Sequence, residues 1–343
     1  MDILETTIKK LKESPMYYMF ISSRELFHSN FWVWLSELDK NETIKLFTND
    51  KFTGDLKFTP EKNLKNDTNI KSKVDLLISN NNVDIILIEN KVKDFPTIEQ
   101  LERIKASLGL SNPQLILTTL FWSADFSFKD WKVRTYKEIS ESINPEKFTT
   151  NKYFQNLIQD YKEFTLNLSL IAENLEIIKK YDFAPSFDSI KKLFEKLDDI
   201  KLREGYLKIR ASHLIFHFKK NNIHKVECNY SINHKRATLD FFIIIKKGYT
   251  IGITIEDNSY RKVISGIKHN EFSENLRKNN IFFDSNWKSN RGKLMLGYEP
   301  KWKYQKDLKP IKELDYPELF EKINEDIKII IRDMNKIIQQ IPN

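Results

Sequence analysis

Apolar and polar positions change their spacing several times along the chain, and each change marks an element. Residues 2 to 13 repeat at helical spacing and predict a short helix. In SSRELFHSNFWVWLSEL, Leu26, Phe27, Phe31, Trp34, Leu35 and Leu38 recur every three or four residues, which predicts an amphipathic helix. Ser22 fits its N-cap, and Glu25 three residues later fits a capping box. Residues 40 to 72 are polar, with one weak strand signal in GDLKFTPEKNL. The stretch KVDLLISNNNVDIILIENKVK, Lys73 to Lys93, is two apolar runs joined by asparagines and predicts a hairpin. TIEQLERIKASLG, from Thr97, predicts a helix ending at Gly109. PQLILTTLFW predicts a strand, and WKVRTYKEISESI a short strand leading into a helix. This order predicts a mixed α/β sheet with helices packed on it.

From about Tyr153 the pattern changes. YFQNLIQDYKEFTLNL and SFDSIKKLFEKLDDIKLREGYLKIRASHLIFHF read as helical, and ATLDFFIIIKK with YTIGITIEDN as a second hairpin. In the last helix Leu319, Phe320, Ile323, Ile327, Ile330, Met334 and Ile337 form one stripe, with Asp315 as its cap and Glu318 at capping-box spacing. The division is into residues 1–165 and an α+β accessory region, 166–343. No Gly/Ser or Pro linker separates them. The two hairpins echo each other: Asp75 and Glu89 in the first, Asp240 and Glu256 in the second, with Asn258 where the first has Lys91.

Composition narrows the function classes. The chain has 343 residues, 40% hydrophobic and 30% charged, enough to bury a core. No apolar run approaches membrane-spanning length and the N-terminus has no apolar signal-like region, which predicts a cytoplasmic protein with no membrane partner. Cys228 is the sole cysteine, so no internal disulfide forms. None of the eight glycines builds a phosphate-cradling loop. The net charge of +8 permits a polyanionic partner without requiring one. His213 and His217 stand at helical metal-pair spacing. They lack a nearby acidic or cysteine partner and read as packing residues.

Charges inside the first hairpin carry the chemistry. A charged group in a buried strand is costly unless paired or bound to a metal. Glu89 and Lys91 share a face by strand alternation. With Asn80 to Asn82 as the turn, Ser79 pairs with Val83, Asp75 lies opposite Leu87, and Asp75 is diagonal to Glu89 on the same face. Two converging carboxylates make a hard oxygen site suited to Mg²⁺, and the carbonyl of Asn90 adds a neutral oxygen. A lysine beside such a site orients water, and the metal polarises a phosphate oxygen. The alternative is a solvated strand face with a Glu–Lys pair.

RELFHSNFWVWL, KVDLLI, IILIENKVK and the QLERI of the next helix together resemble the PD-(D/E)XK nuclease superfamily, in its restriction-endonuclease-like bacterial branch. The resemblance covers roughly residues 20 to 145. Val74 stands where the motif's proline would be, while Glu89-Asn90-Lys91 is intact. The resemblance implies a restriction-endonuclease-like mixed sheet flanked by helices and Mg²⁺-dependent phosphodiester hydrolysis, with Mn²⁺ able to substitute. It implies that Asp75 and Glu89 bind the metal and Lys91 activates water. Glu25 would be an accessory acid, and Gln100 would orient water or phosphate. Both have capping as a second reading. His28 and Asn30, near Glu25, stay outside the catalytic set. DNA is the implied substrate, and antiphage defence an association of the family.

The second half carries WKSNRGKLMLGYEPKWKYQKDLKP, Trp287 to Pro310, with seven basic and two acidic residues interleaved with aromatics. Lys288, Arg291, Lys301 and Lys303, with Lys93 beside the hairpin, are candidate phosphate contacts, and the aromatics candidate base-stacking groups. In the other reading these aromatics pack and the lysines face water. Two functional alternatives stay open: an RNase on the same site, and a non-catalytic nucleic-acid-binding or protein-interaction module. Homodimer formation or a partner protein is also left open, with the final helix as one interface.

Overall fold

The computed structural model describes residues 3–65, 71–92, 96–108, 112–120, 128–174, 195–221, 226–233, 236–246, 248–256, 259–265, 269–282, 288–289, 302–306 and 316–342. The chain folds as two compact units: Met1–Lys179 with Lys196–Gly205, and Lys180–Glu195 with Tyr206–Asn343.

The first unit opens with helices α1 (Ile3–Glu13), α2 (Pro15–Leu38) and α3 (Lys40–Ile44). Helix α2 starts earlier than the capping pattern suggests. Ser14 is the N-cap, its Oγ accepting from the Met16 N–H at 3.3 Å, with Pro15 in the first turn. Ser22 lies inside the helix and donates to the Met19 carbonyl. It therefore caps nothing, and Glu25 has no capping-box role. The longer helix is held by Met16, Tyr17 and Phe20, which are buried ahead of the expected start.

Five strands follow: β1 (Leu56–Lys65), β2 (Lys71–Asn80), β3 (Val83–Lys91), β4 (Gln114–Thr119) and β5 (Trp131–Thr135). They form a mixed sheet in that order. β1, β2 and β3 pair antiparallel, whereas β3, β4 and β5 pair parallel. Leu76, Ile78, Ile86, Leu87, Ile88, Ile116 and Leu117 are buried, so the central strands are covered on both faces. Helix α4 (Ile98–Ala106) connects β3 to β4, and α5 (Tyr136–Ser142), α6 (Pro145–Phe148) and α7 (Lys152–Asn174) follow β5. Helix α7 runs through the expected boundary at residue 165, because its buried stripe of Ile158, Tyr161, Phe164, Leu168 and Ile171 continues past it against α1 and α5. Residues 196–205 return to this unit, with Leu197 and Ile200 buried and Lys12 and Glu5 of α1 paired to Asp199 and Lys196.

The hairpin register corrects the expected one. Asn81 and Asn82 both have positive φ (49° and 65°), forming a two-residue turn, so Asn80 pairs with Val83 and Ser79 with Asp84. A bulge follows, and Ile78 faces Ile86, Leu77 faces Leu87 and Leu76 faces Ile88. Continuing that register, Asp75 is level with Glu89, not diagonal to it. The turn and the bulge each shift the register by one residue, so the two shifts together restore the face parity.

Helix α8 (Arg203–Asn221) belongs to the second unit from Tyr206 on, and with it are β6 (Glu227–Asn233), β7 (Arg236–Lys246), β8 (Tyr249–Glu256), β9 (Ser259–Ser265), α9 (His269–Lys278), β10 (Lys288–Ser289), β11 (Trp302–Lys306), α10 (Tyr316–Arg332) and α11 (Met334–Gln339). Its strands pair antiparallel in the order β10-β11-β9-β8-β7-β6. Leu214, Phe218, Phe241, Ile253, Ile264 and Phe272 share a core with Ile323, Ile327, Ile330 and Ile337. The apolar stripe of the final helical region thus covers this unit's own sheet. Its helix breaks at Asp333, between α10 and α11. The proposed cap Asp315 lies outside the described residues.

Candidate functional site

Alternation along β3 sorts the site's residues onto two faces. Glu89 and Lys91 point one way and Asn90 the other. Helix α4 supplies Gln100 to the first face: its Nε2 donates to Glu89 Oε1 at 2.7 Å. Its own backbone N–H is capped by Thr97 Oγ1. Gln100 therefore spends its side chain on the acid and not on a capping box. Helix α2 supplies Ser29 to the second face, where Asn90 Nδ2 donates to Ser29 Oγ at 2.6 Å. All of this lies at the C-terminal end of β3, where it runs parallel to β4.

Asp75, Glu89 and Lys91 meet on the first face. Asp75 Oδ2 accepts from the Asn90 N–H at 2.7 Å, taking the place of a ladder bond beyond Leu76. Glu89 is buried, and Lys91 Nζ lies 2.9 Å from its Oε1. Glu89 Oε2 is buried with no hydrogen-bond partner among the described residues. A buried carboxylate oxygen without a donor is costly and calls for one.

The electrostatics are those of two acids pressed together. Burial first, and then the Glu89 charge, push the Asp75 carboxyl up to about 7. The Asn90 N–H and Lys91 oppose the rise, and Glu25 adds to it. Burial works against the charge of Lys91, but Glu89, then Asp75 and Glu25, outweigh it, so the ammonium is held above its ordinary pKa. Glu25, in mid-helix on α2, thus lies close enough to act on both Asp75 and Lys91.

His28 is fully buried and packs among Phe20, Phe27, Trp32, Tyr136 and Tyr161, with Nδ1 2.8 Å from the Tyr161 hydroxyl. Burial drives its pKa down to about 3, so it is neutral. Asn30 is exposed. The second hairpin does not repeat the first. Asp240 faces Thr254 and accepts from its hydroxyl at 2.6 Å, while Glu256 pairs with Thr238. Asn258 lies outside the described residues.

Asp75, Glu89, Lys91 and Gln100 are therefore brought together, with Glu25 nearby. Among the described residues no three His, Cys, Asp or Glu side chains are grouped closely enough to hold a metal ion. A divalent cation here would rest on the Asp75 and Glu89 carboxylates, the Asn90 carbonyl and water. The unpartnered Glu89 Oε2 and the mutual repulsion of the two acids fit such a cation. The Asn90 side chain is committed elsewhere, since its Oδ1 accepts from Thr118 Oγ1. Asn90 (as a side chain), Ser29 and Thr118 are functional candidates that the sequence reading missed. The available signal was a polar residue on the buried parity of IILIENK.

Of the basic candidates, Lys288 lies in β10 opposite Gln305, and Lys303 in β11 opposite Val263. Lys93, Arg291 and Lys301 lie outside the described residues, as do the side chains of His213 and His217. No helix among the described residues is long and apolar enough to cross a membrane. Compared with known proteins, the chain matches no family model, no curated protein and no solved structure.

Proposed function

We propose that the first unit is a restriction-endonuclease-like nuclease that hydrolyses phosphodiester bonds with Mg²⁺, in DNA first and in RNA as the alternative on the same site. The observation that carries this reading is the buried Glu89 carboxylate, whose Oε2 has no hydrogen-bond partner among the described residues, level with a second acid, Asp75, whose charge burial disfavours. Two acids at one end of a strand pair cost stability unless a cation joins them. When bound, Mg²⁺ polarises a phosphate oxygen and makes water more acidic.

The chain's own residues do the rest. Asp75 and Glu89 hold the cation. Gln100 fixes Glu89 through Oε1, which leaves Oε2 for binding. Lys91 is a protonated ammonium, so it donates. It holds a water or a phosphate oxygen and offsets developing negative charge, and it does not take a proton. Glu25 supplies a further negative field that favours the cation. A non-catalytic reading draws on the 2.9 Å Lys91–Glu89 pair, which neutralises one carboxylate without metal.

Plasmid, single-stranded DNA and RNA incubated with Mg²⁺, Mn²⁺ or EDTA separate these readings. Lys91→Met is expected to abolish most cleavage, by about a hundred-fold or more, while leaving Mn²⁺ binding intact or tighter because a nearby positive charge is gone. Asp75→Asn is expected to abolish cleavage and weaken Mn²⁺ binding. A folded Lys91→Met protein that cuts at the wild-type rate would sink the nuclease reading.

A further inference from the structure

Asn90 is the one residue between Glu89 and Lys91, and its side chain points away from both. It is fully buried, as are its two partners Ser29 and Thr118. Its amide uses both ends. Nδ2 donates to Ser29 Oγ at 2.6 Å, and Oδ1 accepts from Thr118 Oγ1. Ser29 Oγ passes its own proton to the Glu25 carbonyl, 3.3 Å away, one helical turn back. Thr118 sits directly beside Asn90 in the parallel β3–β4 ladder, and its single proton is shared between Asn90 Oδ1 and the Glu89 carbonyl at 3.4 Å. The chain is thus Thr118 to Asn90 to Ser29 to the backbone of Glu25. An aspartate at position 90 would have no donor for Ser29, and an apolar residue would leave Ser29 and Thr118 with their bonds to the Glu25 and Glu89 carbonyls but nothing to join them to each other.

We infer that the Asn90 side chain is a positioning residue, locking the strand segment that carries Glu89 and Lys91 to the turn of α2 that carries Glu25. This rests on the nuclease reading above. A strand residue fixed from behind fixes the orientation of both neighbours in front, because their side chains share one pleat. Supporting hydrogen bonds of this kind around a metal-binding acid are typically worth a factor of about 10–100 in activity or metal affinity.

The test deletes single atoms at the two partners, because Asn90→Ala risks the fold. Cleavage of one DNA substrate in Mg²⁺ is followed at varied substrate concentration for wild type, Ser29→Ala, Ser29→Thr, Thr118→Val, Glu25→Gln and the Ser29→Ala/Glu25→Gln pair, with unfolding midpoints for each. Ser29→Ala and Thr118→Val are expected to lower kcat about ten-fold or more with KM unchanged, and Ser29→Thr to restore it. In the Glu25→Gln background, Ser29→Ala should cost less than it does in wild type, since part of its effect runs through the Glu25 turn. Wild-type kcat in folded Ser29→Ala and Thr118→Val, or a Ser29→Ala loss that multiplies with that of Glu25→Gln, overturns the inference and leaves the nuclease reading standing. A wild-type protein that cuts neither DNA nor RNA removes the nuclease reading and this role with it.

Discussion

His28 stands one helical turn from Glu25, yet its environment excludes it from acid–base work near neutral pH. Five aromatic side chains enclose it, and Nδ1 meets the Tyr161 hydroxyl. Its pKa falls from 6.5 unfolded to about 3 folded. Between those values the unfolded chain binds a proton that the native protein does not. The stability from burying neutral His28 is therefore present above pH 6.5 and is lost as pH falls toward 3, at up to about 1.4 kcal/mol per pH unit. Urea denaturation of wild type and His28→Phe from pH 7 to pH 4 is expected to show wild type losing ground to the variant as pH falls. A difference that stays constant over that range would mean that the ring is solvated. At this scale the acids and Lys91 were legible in the sequence, because charge inside IILIENK is anomalous wherever the strand lies. The burial of His28 was not, since spacing alone allowed it to face the site or the core.

Element boundaries followed from which residues bury, and here local motifs misled. Ser22 and Glu25 have capping-box spacing, but the apolar stripe extends back through Phe20, Tyr17 and Met16, so the helix begins at Ser14. Ser14→Ala is expected to cost about 1 kcal/mol of stability by losing its bond to the Met16 N–H, and Ser22→Ala to be within about 0.5 kcal/mol of neutral. Equal losses by thermal unfolding would contradict the earlier start. The hairpin shows the same limit. Strand identity and face were readable from alternation. The two-residue Asn81–Asn82 turn and the bulge before Ile86 were not, because both depend on how β2 and β3 settle against each other. The result brings Asp75 level with Glu89 and tightens the cluster.

At the scale of the molecule, the change of pattern at about Tyr153 opens α7, which belongs to the first unit; the sequence placed the edge at 165, where α7 continues to Asn174 and the first unit runs on to Lys179. Ile323, Ile327, Ile330 and Ile337 of the stripe on the final helices are used within the second unit, against β8 and β7. The basic candidates that the structure describes, Lys288 and Lys303, sit on β10 and β11 at one edge of the antiparallel sheet. If that edge contacts phosphates, Lys288→Ala with Lys303→Ala should weaken DNA binding measured in Ca²⁺ and flatten the slope of log affinity against log salt by about one to two units. An unchanged slope would assign both lysines to solvent.

By itself, the sequence determined what local chemistry dictates. Period-two runs became strands, period-3.6 stripes became helices, and charges lodged in apolar runs marked the residues that gather at one strand end. The α/β class of the first part and the α+β class of the second follow from that order of elements. Tertiary structure decided what depends on distant partners. It set where α2 begins and which strands run parallel. It brought Gln100 to Glu89 and Ser29 and Thr118 to Asn90, partners 11, 61 and 28 residues apart in the chain. Alternation can say that Asn90 faces away from Glu89. Only packing of α2 and β4 against β3 supplies the hydroxyls that make a buried amide there affordable.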